Sequence, residues 1–216
     1  MSAATATANP IVPITMNPLV NSTRALATRQ SAVVRQVAGW IVQSNDHRDL
    51  QFIIIDKANA QLFLFDDNGT PRASTPVLVG LARGDDSPPG IGTRALSAIS
   101  PAERITPAGR FESEPGEDVG GKDLVWIDYN AAIALHRVSD RKPGAGVETR
   151  LQRLAMGSAS ARHISLGCVN VSTAFYDRYI APTFGTSRGV VYILPATRSA
   201  AAQFNISKTY QYAGSN

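Results

Sequence analysis

The chain has 216 residues, of which 44% are hydrophobic and 18% are charged, and its formal net charge is +4 at pH 7. This length and this apolar content predict one folded domain with flanking tails, and they exclude a disordered chain. No apolar run approaches the roughly 20 residues of a bilayer-spanning helix, so we predict no transmembrane segment. The basic residues are scattered and are not interleaved with aromatic residues, which argues against nucleic-acid binding.

The first 20 residues have no sustained hydrophobic period and contain no Lys or Arg, so we expect a tail without the basic start of a secretion signal. Beyond them, apolar residues recur at helical spacing from Leu26 through Val37 to Ile41. This stripe predicts an N-terminal helix that is capped within residues 21–23 and ends near Ser44.

Runs of β-branched and aromatic residues between turn residues predict a mainly β fold with a few helices. We expect strands at 51–55, 61–65, 75–80, 109–113, 124–128, 132–136 and 189–194. We expect short helices at 148–156 and after Ser172, and a long surface loop at the Gly- and Pro-rich residues 82–107. The predicted organisation is a tail and helix start at 1–34, one domain at 35–195 and a tail at 196–216.

Cys168 is the only cysteine, which excludes an intrachain disulfide and a thiolate metal cluster. It lies in the stretch Ser-Leu-Gly-Cys-Val-Asn, residues 165–170, between a predicted strand and a predicted helix. Gly167 permits a tight turn there, and unpaired backbone amides at such a turn can stabilise an oxyanion. A nucleophilic thiol is one interpretation, and an inert buried thiol is the other.

The three histidines all precede Cys168, which excludes schemes in which the base follows the nucleophile, as in papain-like peptidases. His136 ends an apolar strand, where the edge of the sheet would hold its ring rigidly, and it is our first candidate for the general base. His163 is the alternative base. His47 lies in a polar connection, and we expect it to be a surface residue.

The stretch at 165–170 resembles the Ser-His-Gly-Cys-x-Asn/Arg signature of the L,D-transpeptidase catalytic domain family, the YkuD-like family. Residues 53–65 are similar to that family's opening hairpin, and 106–111 to its Thr-Pro-x-Gly-x-Phe segment. Residues 133–136 are similar to the strand that carries its catalytic histidine. The resemblance covers about residues 50–195. Leu166 replaces the usual histidine, and an apparent insertion at 137–161 separates His136 from Cys168 by 32 residues. We expect the arginine-containing stretch 150–154 of this insertion to cover or line the site.

The resemblance implies a β-sandwich with one helix after the nucleophile. It also implies that the protein is a peptidoglycan L,D-transpeptidase with a role in cell-wall biogenesis and cell shape. Such an enzyme would act in the periplasm or the cell wall, after removal of a signal peptide. Cys168 would attack the stem-peptide carbonyl before the terminal D-alanine, and His136 would accept the thiol proton. The resemblance also implies acylation by carbapenems and no metal or organic cofactor. The supporting residues would be Gly167, Ser165 and Asn170 in the turn, with Arg137, Arg153 and Arg162 as candidate substrate-binding residues.

Two other functions remain open. A sortase-like cysteine transpeptidase also has His before Cys on a β fold, and Arg188 would be its arginine. An inactive peptidoglycan-binding module is the other alternative, and Leu166 is the residue that favours it.

Overall fold

The computed structural model describes residues 25–139, 149–155 and 157–207. The strands are β1 (Phe52–Asp56), β2 (Gln61–Phe65), β3 (Pro71–Pro76), β4 (Val79–Gly80), β5 (Gly109–Glu117), β6 (Asp123–Asp128), β7 (Ile133–Arg137), β8 (His163–Ser165), β9 (Val169–Val171) and β10 (Gly189–Ile193). The helices are α1 (Ala32–Ser44), α2 (Arg150–Ala155), α3 (Thr173–Phe175), which continues as a π-helical turn (Tyr176–Ile180), and α4 (Ala200–Gln203). Short 3-10 helices lie at Ile91–Thr93, Leu96–Ala98, Pro101–Glu103 and Ser160–Arg162.

Eight strands form one sheet in the order β3-β2-β1-β10-β5-β6-β7-β9, and β4 and β8 form a separate parallel pair. The long strand β5 joins the two halves of the sheet because its first half pairs with β10 and its second half with β6. Side chains of both halves, from Ile53 to Leu135 and Val169, pack in one core cluster. The predicted mainly β fold is confirmed.

The strand β1 is buried on both faces, as its uninterrupted apolar sequence predicts. Ile53 and Ile55 contribute to the core between the two halves of the sheet, whereas Phe52 and Ile54 face a second cluster. The buried stripe of α1, formed by Val34, Val37 and Ile41, covers this second face. Alternation along a strand thus places α1 behind the sheet, on the face away from the main core.

The N-terminal helix α1 begins later than expected, because Ser31 caps it. The Ser31 hydroxyl accepts a hydrogen bond from Val34 N and donates one to Asp56 Oδ2 at 2.9 Å. Residues 25–29 form a separate helical segment, and the expected cap at 21–23 lies outside the described residues. The contact between Ser31 and Asp56 of β1 therefore determines where α1 begins.

The segment expected as a single strand at 75–80 is divided into the end of β3 and the whole of the two-residue strand β4. Pro71 and Pro76 lie at the two ends of β3, which is an edge strand of the sheet, where a missing N–H is tolerated.

Near the other end of the described chain, Phe204 and Ile206 pack into the second cluster, which α1 covers. Among the described residues, no helix has both the length and the apolar character needed to cross a membrane.

Candidate active site

The parallel pairing of β7 with β9 brings His136 and Cys168 to one pocket. His136 is in register with Asn170, and Cys168 immediately precedes β9 on the turn that leaves β8. The pocket has a volume of about 260 Å³ and contains Cys168, His136, Asn170 and Arg150 among its lining residues. Two chain segments that are 32 residues apart in sequence therefore contribute to one cavity.

The rest of the pocket is mostly apolar. The loop between β4 and β5, with its three 3-10 helices, contributes Ile91, Leu96 and Ile99, and β7 contributes Ile133. Leu166 also lines the pocket, and it is 36% exposed. The residue that replaces the family's histidine thus adds an apolar wall beside Cys168.

The Cys168 thiol is half-buried, and its Sγ donates a weak hydrogen bond to Ala132 O at 3.6 Å. Burial raises the pKa of Cys168, although the N–H of Ala134 and the positive charge of Arg150 favour the thiolate. The resting side chain is therefore a thiol, and a base must remove its proton before it can attack a carbonyl.

The His136 ring is held at both nitrogens. Its Nδ1 lies 2.8 Å from Arg137 O, and its Nε2 lies 2.9 Å from Asn170 Nδ2. Arg150 Nη2 donates to Asn170 Oδ1, which orients the Asn170 amide so that Nδ2 faces the ring. The ring is thus the tautomer with the proton on Nδ1, and Nε2 is an acceptor.

Burial lowers the pKa of His136, and the nearby Arg150 charge acts in the same direction, whereas the hydrogen bond to Arg137 O opposes it. The ring is therefore neutral at pH 7 and can accept a proton at Nε2. Within the described residues, the hydrogen bond at Nε2 comes from Asn170 and not from the Cys168 thiol. Proton transfer from Cys168 thus requires that Nε2 exchange its Asn170 contact for the thiol.

The turn before Cys168 depends on Gly167, whose φ of 137° favours glycine. A Cβ at this position would lie 2.8 Å from Ile105 O and 2.8 Å from Ile133 Cδ1. The Gly167 N–H donates to Ser165 Oγ at 3.1 Å, and the Ser165 hydroxyl donates to Cys168 O at 2.7 Å. Ser165 and Gly167 therefore brace the turn, and the Gly167 N–H is occupied.

Thr106 fixes the peptide that joins Gly167 to Cys168. Its hydroxyl donates to Gly167 O at 2.6 Å and accepts a hydrogen bond from Gly80 N at 2.8 Å. In a trans peptide the C=O and the N–H point in opposite directions, so the Cys168 N–H points away from Thr106. That N–H has no hydrogen-bond acceptor within the described ranges, which leaves it as the available oxyanion donor of this turn.

The sequence motif 106–111 contributed to the family resemblance but did not indicate this role of Thr106, because a sequence does not show which hydroxyl meets a distant carbonyl.

The alternative base His163 lies outside this pocket. Its Nδ1 is 3.2 Å from Gly80 O and its Nε2 is 3.1 Å from Lys57 O, so both ring nitrogens contact backbone carbonyls. The ring connects β8 to the neighbouring backbone. His47, which we expected at the surface, is only 3% exposed, and its Nε2 lies 2.8 Å from Asp67 O. That expectation was wrong, because the His47 ring also packs edge-on against Phe52.

The three arginines expected to bind substrate do not line the pocket. Arg137 pairs with Asp123 and Asp177, each at 2.6 Å. Arg162 is buried and donates to Leu154 O at 3.2 Å. Arg153 lies in α2, one turn after Arg150, which is the arginine that reaches Asn170 and the pocket. The sequence placed an arginine-containing stretch near the site, but the phase of so short a helix decides which arginine enters it.

A family model of the L,D-transpeptidase catalytic domain, YkuD, matches residues 50–181, which is more than half of the chain. The chain therefore belongs to the L,D-transpeptidase catalytic domain family, as its motifs indicated. No curated protein matches the chain in sequence.

Several solved structures are similar to the chain. The catalytic domain of an L,D-transpeptidase from Enterococcus faecium is 17% identical to this chain. The match covers 67% of this chain and 96% of that domain, with a TM-score of 0.37. The helical cell shape determining protein Pgp2 from Campylobacter jejuni is 13% identical, with 76% of this chain and 52% of its own covered and a TM-score of 0.42. Bd1075 from Bdellovibrio bacteriovorus is 16% identical, with coverage of 76% and 54% and a TM-score of 0.41. The chain spans about half the length of the last two proteins.

Proposed function

We propose that the protein is a peptidoglycan L,D-transpeptidase with Cys168 as the nucleophile and His136 as the general base. The observation that carries this proposal is the shared pocket, in which a lone thiol, a neutral histidine and a backbone N–H that has no acceptor in the described part of the chain lie together in a member of this family. Each of the three groups has a defined part in acyl transfer from an amide to an amine.

In the proposed first step, His136 Nε2 takes the thiol proton, and Cys168 Sγ attacks the carbonyl carbon between the third residue of a stem peptide and its terminal D-alanine. The Cys168 N–H stabilises the oxyanion that forms. When the C–N bond breaks, the protonated His136 gives its proton to the D-alanine amine, which leaves. The product is a thioester on Cys168 and a neutral His136.

In the second step, an amine of another stem attacks the thioester, and His136 accepts its proton. The thiolate leaves and regains a proton from His136, and the result is a new amide cross-link. Water in place of the amine gives hydrolysis instead. The substrate lies outside the cytoplasmic membrane, so we propose a periplasmic or wall-associated location.

The sortase-like alternative has less support, because Arg188 forms a surface ion pair with Glu114 at 2.6 Å and the arginine beside Cys168 is Arg150. The inactive binding module stays an alternative, because His136 Nε2 accepts its hydrogen bond from Asn170 and because Leu166 adds no polar group to the site.

The test is D-alanine release from purified tetrapeptide muropeptides, with and without an amine acceptor, by the wild type and by Cys168→Ala. We expect release and acyl transfer from the wild type alone. If neither protein releases D-alanine and both bind purified sacculi, the chain is a binding module. Cleavage of a sorting-motif peptide with no effect on muropeptides would indicate the sortase-like function.

A further inference from the structure

Arg150 is a partly buried cation of the pocket without an acidic partner among residues 25–139, 149–155 and 157–207. Its Nη2 donates to the neutral amide of Asn170, and its Nε is buried without a hydrogen-bond partner. The other arginine of the pocket, Arg94, is different because its Nη2 lies 2.9 Å from Glu103 Oε1. Among the described residues, acidic side chains therefore neutralise Arg94 but not Arg150.

A charge that is removed from water and lacks a counter-charge is costly, so such a group usually meets an anion in the functional state. Burial lowers the pKa of Arg150, and the Cys168 sulfur is the charge partner that opposes this effect. The Cys168 side chain is protonated at rest, because burial raises its pKa. The resting pocket thus holds a positive charge beside the thiol and no anion to balance it within the described chain.

We propose that Arg150 is a specificity-determining residue that binds a carboxylate on the part of the donor that leaves when Cys168 is acylated. This inference rests on the proposed function and narrows the donors to peptides in which the leaving residue carries a free C-terminal carboxylate. The carboxyl carbon of such a residue lies within about 4 Å of the scissile carbonyl carbon. When that carbonyl is at Cys168 Sγ, the carboxylate therefore lies in the pocket that Arg150 also lines.

The guanidinium is suited to this role, because its planar N–H groups form strong charge-assisted hydrogen bonds with carboxylates. Asn170 occupies Nη2 and thereby fixes the plane of the group, while the Nε atom is buried and has no hydrogen-bond acceptor among the described residues. A donor with a neutral C-terminal amide would leave the Arg150 charge unbalanced.

The experiment compares two synthetic stem tetrapeptides, one ending in D-alanine and the other in D-alanine carboxamide. Release of the terminal residue is measured for the wild type, Arg150→Gln, Arg150→Lys and the control Arg72→Gln. Arg72 lies on β3, at the opposite edge of the sheet from β9, and its side chain is 63% exposed. The control thus removes one positive charge far from the pocket.

We expect the wild type and Arg72→Gln to prefer the carboxylate donor in kcat/KM by about 10- to 100-fold, which is the range of a charge-assisted hydrogen bond. Arg150→Gln should lose this preference, because its KM for the carboxylate donor rises and its kcat/KM for that donor falls by about 10-fold or more beyond the fall on the carboxamide donor. The fall on the carboxamide donor measures the contacts of Arg150 with Asn170 and Cys168. Arg150→Lys should retain part of the preference, because it keeps the charge.

Equal use of both donors by the wild type, or an equal fall for both donors in Arg150→Gln, would overturn the inference. The inference would also be overturned if Arg150→Gln kept the preference for the carboxylate donor while the pH profile of Cys168 alkylation by iodoacetamide shifted. Arg150 would then act on the thiolate and not on the donor. If the wild type releases nothing from either donor, the proposed function fails. The inference is still decided in that case by calorimetric binding of both peptides to Cys168→Ala with and without Arg150→Gln, where the carboxylate preference must depend on Arg150.

Discussion

Replacement of Thr106 by Val tests whether the turn before Cys168 is held by a single hydroxyl. Thr106 is only 2% exposed, and Val has nearly the same shape, so the change removes two hydrogen bonds with little change in packing. The Gly80 N–H and the Gly167 carbonyl would both lose their buried partner. At about 1–3 kcal/mol for each unsatisfied buried group, the two groups give an expected loss of about 2–6 kcal/mol in the free energy of unfolding.

The same change should slow acylation of Cys168, because the peptide that carries the Cys168 N–H is no longer fixed. Loss of one oxyanion donor costs about 100- to 1000-fold in rate. Here the donor remains and only its orientation is released, so we expect a decrease of about 10-fold or more. The assays are urea unfolding and the rate of Cys168 acylation by a carbapenem, measured where the variant is fully folded.

Thr106→Ser is the matched control, since it keeps the hydroxyl, and it should acylate within about twofold of the wild type. The reasoning is refuted if folded Thr106→Val acylates at the wild-type rate, because the Thr106 hydroxyl would then have no part in placing the Cys168 N–H. A rate loss of the same size in Thr106→Ser would also refute it.

Three further predictions follow from the described contacts. Gly167→Ala should destabilise the fold by about 1–3 kcal/mol in urea unfolding, because its Cβ meets Ile105 O at a positive φ. Alanine at the exposed Gly121, where a Cβ has open space, is the control for the φ effect alone.

Asp85→Asn should cost about 3–5 kcal/mol at pH 7, because it leaves the buried Lys57 ammonium, 2.9 Å from Asp85 Oδ1, without its counter-charge. The hydrogen bonds to Thr197, Ala196 and Lys57 hold the pKa of Asp85 below its ordinary 3.8 despite burial, so its contribution is present above that value and is lost as the pH falls below it. The stability difference between wild type and Asp85→Asn should therefore shrink below pH 3.8, and a difference independent of pH would contradict this. Finally, alkylation of Cys168 by iodoacetamide should have a midpoint above pH 9.0, because burial raises the pKa of the thiol, and a midpoint near pH 7 would contradict the described environment.

The sequence predicted the elements whose pattern is local. The apolar runs of β1 and β2 are visible in a few residues, and both strands occur within one residue of the expected positions. The family followed from short motifs in the correct order, and the family model confirms it.

Features that depend on distant contacts were not predictable in the same way. Ser31 begins α1 because its hydroxyl reaches Asp56 on β1, a contact that the helical period does not encode. Arg150 rather than Arg153 lines the pocket because the six-residue helix presents Arg150 there, and a helix so short has no hydrophobic period to fix its phase. The role of Thr106 is likewise a contact between residues 61 positions apart.

The division into residues 1–34, 35–195 and 196–216 stays a prediction. Two sets of contacts cross the predicted boundaries. Val34 packs in the same cluster as Phe52 of β1, and Phe204 and Ile206 join that cluster from the segment expected as a tail. Asp85 also accepts hydrogen bonds from Ala196 N and Thr197 N, which connect the start of the C-terminal segment to the loop between β4 and β5.

The most direct test of the central claim is the intact mass of the protein after incubation with a carbapenem, compared among the wild type, Cys168→Ala and His136→Ala. We predict one covalent adduct on the wild type, none on Cys168→Ala and a much slower adduct on His136→Ala. Undiminished acylation of His136→Ala would contradict His136 as the base. No adduct on the wild type, with its thiol shown to be free and reduced, would contradict an activated Cys168.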